Sequence, residues 1–553
     1  MLRPNFALAL TSCTQDVWSR WTGGDGAPAW TLELMGFNIS NLHDCGAALT
    51  HQGHILEHGS DKEFPKMMWP SNHHKLACGT AFTLFFAGRF FAPFFEIKGK
   101  NIQDFLQDHY ISAMAAVCKK LADEDNVVGF DSLNEPNMGM IGWHDLTKGS
   151  DFLLQGAAPT WFESFQVGEG FTKNVANYQP SLVRNGTCCL NPRGLRAWRK
   201  NSVCVWRQHG VWDIIGGTPT LLKPDYFRWR YVDGRKTEID PSNDCFMPFL
   251  LRFKQGLSDA LTPSRRSMVV FIDRFTDFEN SSISDYPKNS KFCQEPRTLK
   301  DFAWSPHWYD LVPLVLKSFI PWAGVAREQG VSSPIVLGAS NLVNEYSRQL
   351  LLLKRGGDEI APNRKIPTIV GEIGIPFDMD NKKSYSTGNF NTQILAMNTT
   401  MQALDQALLS GIIWNYTSDN TNAHGDGWNG EDLSIFSRDQ IAQGHHRDVF
   451  GGGRALQAIV RPYACRCAGT PLEMKFDMYT RTFFFKFRHD ESLENVPTVI
   501  FLPLYQYPIM PEITVSDGKY CVHAIQQTLE YYADHASGSE HVIVIESSQD
   551  AVP

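Results

Sequence analysis

Val127-Val128-Gly129-Phe130-Asp131-Ser132-Leu133-Asn134-Glu135-Pro136 and Ile366-Pro367-Thr368-Ile369-Val370-Gly371-Glu372-Ile373-Gly374 decide how this chain is read, their two glutamates lying 237 positions apart (372 − 135). Each stretch is a short apolar run with β-branched residues, the pattern of a strand buried on both faces, and each carries a carboxylate at its C-terminal end. In a (β/α)8 barrel that end holds the chemistry, because the loops after the strands are mounted on a rigid support.

Working outward, the same rhythm continues on both sides. From Met1 to about residue 455, apolar runs end near Glu135, Asp273, His307, Glu372 and Tyr416. Amphipathic stretches such as Ile102 to Ala122 and Ile394 to Leu409 lie between them. Strands alternating with helical segments predict βα units around a parallel sheet, a barrel domain over 1–455. A Trp-, Arg-, Gly- and Pro-rich stretch, about 137–256, interrupts the rhythm as a long insertion. It reads equally as a wall of a binding site or as a poorly ordered insert.

After Gly451-Gly452-Gly453 the texture changes to short β-rich runs, Met474 to Phe487, Thr498 to Leu504, Glu512 to Ser516 and His541 to Glu546. They predict a small antiparallel β-sandwich over 456–553, of about 100 residues, the usual size of such a module.

The bulk properties narrow the function. The 553 residues exceed one ordinary core, and a formal net charge of −8 argues against nucleic acid, whose phosphates demand a surplus of Lys and Arg. The 12 cysteines are scattered without paired CxxC spacing, which speaks against zinc and against a disulfide scaffold. Asn-x-Ser/Thr triplets at Asn38, Asn185, Asn280, Asn398 and Asn415 carry no weight without a secretory signal, and the Met1–Leu10 start reads as the stub of a strand. A cytoplasmic setting is the default, with membrane or vacuolar association left open. Ala77 to Phe95 holds Arg89 as its only charge. Arg89 and Pro93 inside it favour a buried barrel helix over a membrane span, with a lipid-touching lid as the second reading.

Chemistry enters at the strand ends. Glycoside hydrolysis needs one carboxyl group to protonate the leaving oxygen and a second to attack the anomeric carbon. In Asn134-Glu135-Pro136 the amide suits a sugar 2-hydroxyl and Glu135 suits the general acid, although a surface turn has the same composition. Tyr309, in His307-Trp308-Tyr309, can donate to a second carboxylate, that of Glu372, and Trp414 offers a flat face for a pyranose ring.

These residues resemble glycoside hydrolase family 5, within it the fungal relatives of endoglycoceramidase that cleave steryl β-glucosides or glucosylceramide. The matching stretches are Gln15-Asp16-Val17-Trp18-Ser19-Arg20, Gly23-Gly24-Asp25-Gly26-Ala27-Pro28, Gly129 to Pro136, Pro306-His307-Trp308-Tyr309-Asp310, Gly371-Glu372-Ile373-Gly374 and Trp428-Asn429-Gly430-Glu431-Asp432-Leu433-Ser434. The resemblance implies Glu135 as acid/base and Glu372 as nucleophile. It also implies Asn134, His307, Tyr309 and Trp414 around the glucose, and Asp16 as a sugar-hydroxyl contact. Trp428 and Glu431 would line the aglycone side, unless Gly425-Asp426-Gly427-Trp428 is only a Gly-rich turn with a solvated acid. A retaining reaction follows, with carboxyl groups about 5 to 5.5 Å apart and neither metal nor other cofactor. The implied substrate is a glucolipid, ergosteryl glucoside first and glucosylceramide next, reached through apolar loops at a membrane surface.

Two departures qualify the resemblance. Thr14 stands where the family has His. The chain also begins where the third barrel strand would end, so the first two strands and a site arginine have no counterpart. The expectation is therefore an N-terminally incomplete barrel, with weak activity of its own or only glucolipid binding, which full glucosidase activity of the chain from Met1 would overturn.

Overall fold

Four short strands, β1 (Leu10–Thr11), β2 (Gly129–Asp131), β3 (Val269–Ile272) and β4 (Phe302–Trp304), pair parallel in that order in the computed structural model. It describes residues 10–11, 16–59, 68–149, 156–178, 184–232, 234–261, 267–273, 301–326, 334–360, 366–441, 448–493, 495–534 and 539–548. The described residues form two compact units, one drawn from 1–306 with 355–368 and one from 307–354 with 369–553.

In the first unit, β2 and β4 are buried along their whole length, as both-face burial of a parallel sheet requires. Gly129 answers a specific need there, since a Cβ would sit 2.0 Å from the Val269 carbonyl oxygen. Beyond β4 the ladder continues as an isolated parallel bridge from Trp304 to Thr368, whose preceding Pro367 carbonyl accepts from the Trp304 amide at 2.8 Å.

Helix α1 (Leu76–Phe91) is buried at all but two of its positions, Arg89 and Phe90. Arg89 reaches outward to Asp104 at 2.7 Å. No described helix is long and apolar enough to cross a membrane, and of the stretch Ala77 to Phe95 the helix is enclosed while Phe94, just past it, is exposed. Helix α2 (Ile102–Lys120) starts at Asn101, whose side chain accepts from the Gln103 amide. With Asp104 in its first turn and Lys119 and Lys120 in its last, its charges suit the macrodipole. It packs on α3 (Met247–Leu261), where Arg252 binds Gln107 and Asp108 of α2.

The described residues of the 137–256 stretch are built structure. A three-stranded antiparallel sheet (Gly156–Ala158, Lys173–Tyr178, Arg184–Leu190) is followed by the hairpins Trp212–Ile215/Thr218–Leu221 and Trp229–Val232/Arg235–Glu238. Its Trp161, Trp198, Trp206 and Trp212 enter the same apolar core as α1. The Trp206 indole donates to the Thr80 hydroxyl at 3.0 Å. Gly256 lies inside α3.

In the second unit, β5 (Ile369–Ile373) pairs parallel with β6 (Ser410–Ile413) across helix α4 (Asn391–Ala407). Two antiparallel sheets follow. One has the order β7-β10-β13-β12 (Tyr463–Arg466, Thr498–Phe501, Thr528–Tyr532, Lys519–His523), the other β8-β9-β14-β11 (Gly469–Asp477, Thr482–His489, Glu540–Glu546, Glu512–Val515). Phe483, Phe485 and Phe487 alternate inward along β9 and meet Ile500, Leu529 and Tyr531 of the other sheet, so both share one core.

The run read as Met474 to Phe487 is a hairpin. Asp477 Oδ1 accepts from the amides of Tyr479 and Thr480, and this Asx turn reverses the chain between β8 and β9. Strand β12 is exposed over its first three residues and shows no apolar run.

Candidate active site

Each unit contributes one set of functional side chains. In the first, the chain leaving β2 stays in register for one more residue, the Ser132 amide donating to the Phe271 carbonyl at 2.9 Å. Tyr110 then holds the Ser132 carbonyl at 2.8 Å. Asn134 is buried, and its amide nitrogen donates to Asp16 Oδ1 at 2.7 Å, which fixes the orientation of both side chains. Glu135 is half-buried and takes φ +41°, the left-handed region that L-residues avoid. The backbone amide of Glu135 donates to Asp273 Oδ2 at 3.2 Å.

Asp273, buried just past β3, is a site residue that the sequence marked only as a strand end. Its role is to anchor the turn that bears Glu135. A second unanticipated residue is His73, enclosed between Trp69 and Phe82. Burial pushes its imidazole down to about 3, helped by His74 and opposed by the nearby Glu135 carboxylate. A His-His pair before an apolar helix is too common a pattern to have singled it out.

In the second unit, β5 presents Glu372 one residue before its end. Tyr309 donates its phenolic proton to Glu372 Oε2 at 2.8 Å, and His307 Nδ1 lies 3.4 Å from the same oxygen. Two neighbours thus converge on one carboxylate oxygen and fix its orientation. Trp308, between them in sequence, turns the other way into the core. Its amide donates to the Glu372 carbonyl at 2.9 Å and its indole to Gln349 Oε1 at 3.1 Å. The alternation, His307 and Tyr309 towards Glu372 and Trp308 away from it, is that of extended backbone.

Trp414 follows β6, its amide donating to the Ile373 carbonyl at 2.9 Å. Its own carbonyl oxygen would lie 2.2 Å from a Cβ at Gly374, so the glycine is required for that approach. The loop beyond β6 is tightly built. Asp426, its carboxyl pushed up by burial, accepts from the side chains of Asn415 and Asn420 and from the amides of Leu433 and Ser434. Glu431 is buried, which rules out a solvated acid, and Trp428 is half-buried. Arg454, fully buried, clamps Asp432 and the Ser434 carbonyl behind them.

The structure therefore groups Asp16, Asn134 and Glu135 in one unit, and His307, Tyr309 and Glu372 in the other with Trp414 beside Gly374. Thr14, Gln15 and the Asn280 triplet lie outside the described residues, as do residues 1–9 of the strand stub.

The chain is similar to several known proteins. The Glycoside hydrolase family 5 C-terminal domain matches residues 461–545. Ergosteryl-beta-glucosidase of Saccharomyces cerevisiae is 30% identical over 640 residues, spanning 97% of this chain and 80% of that protein. Glucosylceramidase of Rhizopus delemar is 31% identical over 516 residues, with 89% and 72% covered. The crystal structure of Cryptococcus neoformans sterylglucosidase 1 is similar at TM-score 0.86 and 31% identity, over 97% of this chain and 80% of that one.

Proposed function

Since the chain belongs to glycoside hydrolase family 5, in the group of ergosteryl-β-glucosidases and glucosylceramidases, we propose that it is a retaining β-glucosidase that releases glucose from a glucolipid. Ergosteryl glucoside is the first substrate and glucosylceramide the second. We read β1 to β6 as strands of a (β/α)8 barrel domain over 1–455, with the β-sandwich over 456–553.

The observation that carries the reading is Glu372, held at one oxygen by Tyr309 and His307 at a strand end. A carboxylate held in a fixed orientation at a strand end suits nucleophilic attack at the anomeric carbon. In this mechanism Glu135 delivers its proton to the glycosidic oxygen, the C–O bond breaks, and Glu372 becomes bonded to C1 of glucose. Glu135, now a carboxylate, takes a proton from water, the hydroxide oxygen adds to C1, and the Glu372 ester is released with its original charge. Asn134, oriented by Asp16, is suited to the 2-hydroxyl, a contact that tightens as the ring flattens. Trp414 supplies the stacking face, and Trp428 and Glu431 line the aglycone side.

The test is turnover of ergosteryl glucoside and glucosylceramide by the full chain and by Glu372→Gln and Glu135→Ala. The nucleophile variant should lose at least ~10³-fold in kcat, in the range of lost covalent catalysis. Glu135→Ala should recover turnover of an activated aryl glucoside when azide is added, giving a β-glucosyl azide. Undiminished hydrolysis by Glu372→Gln would remove the mechanism.

A further inference from the structure

The segment after Tyr309 leaves its apolar side chains uncovered. Leu316, Ile320, Trp322, Val325, Ile335 and Leu337 are all exposed, Trp322 at 62%, Leu337 at 59% and Ile335 at 74%. Exposed apolar residues are ordinary when scattered singly, but a contiguous group marks an interaction surface.

The group is contiguous by its hydrogen bonding. Ala323–Val325 and Ile335–Leu337 form an antiparallel hairpin in which Val325 lies opposite Ile335 and Ala323 opposite Leu337. Those four side chains share one face, because residues two apart in a strand point the same way. The opposite face is the one that packs, since Gly324 lies against Leu342 of the helix Ala339–Ile360. The Gly338 amide donates to the Trp322 carbonyl at 2.7 Å, and Ile320 bridges to Ala323, so Trp322 and Ile320 border the same platform. Residues 318–326 and 334–344 contain no charged side chain.

We propose that this hairpin face is a bilayer-docking surface, which seats the enzyme on the membrane that holds its glucolipid. The proposal deepens the glucosidase reading and rests on it for the choice of occupant. Two observations favour a lipid surface over a second copy of the chain. The hairpin belongs to the loop that follows the strand end bearing His307 and Tyr309, so the patch lies on the connection that carries part of the candidate site. The composition of its two strands and their flanks, aliphatic side chains with one exposed tryptophan, matches a surface that enters the headgroup region, with Arg327 and Glu328 in the sequence between the strands. A steryl or ceramide aglycone is itself buried in the bilayer, so an enzyme that takes the glucose end must work at that boundary.

Co-sedimentation of the full chain with neutral phosphatidylcholine vesicles tests this without requiring turnover, so it reports even if the glucosidase reading fails. The wild type should pellet with vesicles. Ile335→Ser/Leu337→Ser should lower the partition coefficient about thirty-fold, from the lost burial of two aliphatic side chains. Trp322→Ser, a smaller perturbation of the hairpin, should lower it in the same direction. Ile525→Ser, at a residue 92% exposed on the turn between β12 and β13, should not. On a soluble aryl glucoside the hairpin variants should match the wild type while losing hydrolysis of vesicle-borne glucolipid. Unchanged partition of the hairpin variants would overturn the proposal. Equal loss in Ile525→Ser, or a wild-type dimer that the double variant abolishes, would overturn it as well.

Discussion

Arg454 offers a sharp test of how the loop bearing Trp428 and Glu431 is held. Its guanidinium is fully buried, donating to Asp432 Oδ1 at 2.5 Å and through Nε to the Ser434 carbonyl at 2.9 Å. It also lies over the Phe377 ring, 4.2 Å from the centroid. Replacement by methionine keeps the volume and removes the charge. Asp432 would then be left buried with Tyr385 and Asn420 as its side-chain donors. Removing one partner of a buried pair costs about 3–5 kcal/mol, and the Ser434 carbonyl loses a donor worth about 1 kcal/mol. A destabilisation of about 4 kcal/mol or more is expected, read as the shift of the urea unfolding curve at constant slope. The double variant Arg454→Met/Asp432→Asn removes the stranded charge and should recover about 2–3 kcal/mol of that loss. If Arg454→Met unfolds within 1 kcal/mol of the parent, or the second substitution recovers nothing, the carboxylate is not what the arginine neutralises and the argument fails.

Tyr309→Phe removes the phenolic donor from Glu372 and should lower kcat by about 10- to 100-fold, the worth of a hydrogen bond to a charged group; full activity on ergosteryl glucoside would contradict it. Gly374→Ala forces a Cβ against the Trp414 carbonyl and should cost at least about 3 kcal/mol, seen as a lowered melting temperature, whereas a neutral substitution would mean that the contact can open. His73 is held near 3, against 6.5 for an ordinary imidazole, so below pH 6.5 the unfolded chain binds a proton that the folded chain refuses. Stability from this residue is therefore lost as pH falls, by about 2 to 2.5 kcal/mol between pH 6 and 4, and His73→Phe should flatten that part of the urea-midpoint profile; parallel profiles would refute it.

The strand-and-carboxylate pattern was legible because it rests on local chemistry. Apolar runs ending on Asp131 to Glu135 and on Glu372 announce themselves without tertiary information. The bond from Tyr309 to Glu372 was also within reach, since both sit at strand ends. What sequence could not show depends on distant segments. Asp273 anchors the Glu135 amide from 138 positions away, and nothing in its neighbours records that contact. Arg454 lies outside any motif, because a buried counter-ion is defined by what surrounds it in space. The insertion remained ambiguous for the same reason: its tryptophans are core residues only because α1 supplies the other half of the core. The platform of Trp322, Ile335 and Leu337 reads in sequence as plain strand, since exposure has no signature in an apolar run.

The left-handed turn at Glu135 has an evolutionary implication. A side chain with a Cβ at φ +41° costs the fold about 1 kcal/mol that glycine would not. Selection for heat resistance alone should therefore drift towards Glu135→Gly, yielding hardier proteins without the carboxyl group proposed as the acid. Retention of glutamate at that position across generations would be a record of the chemistry, kept against the direction in which the backbone pulls.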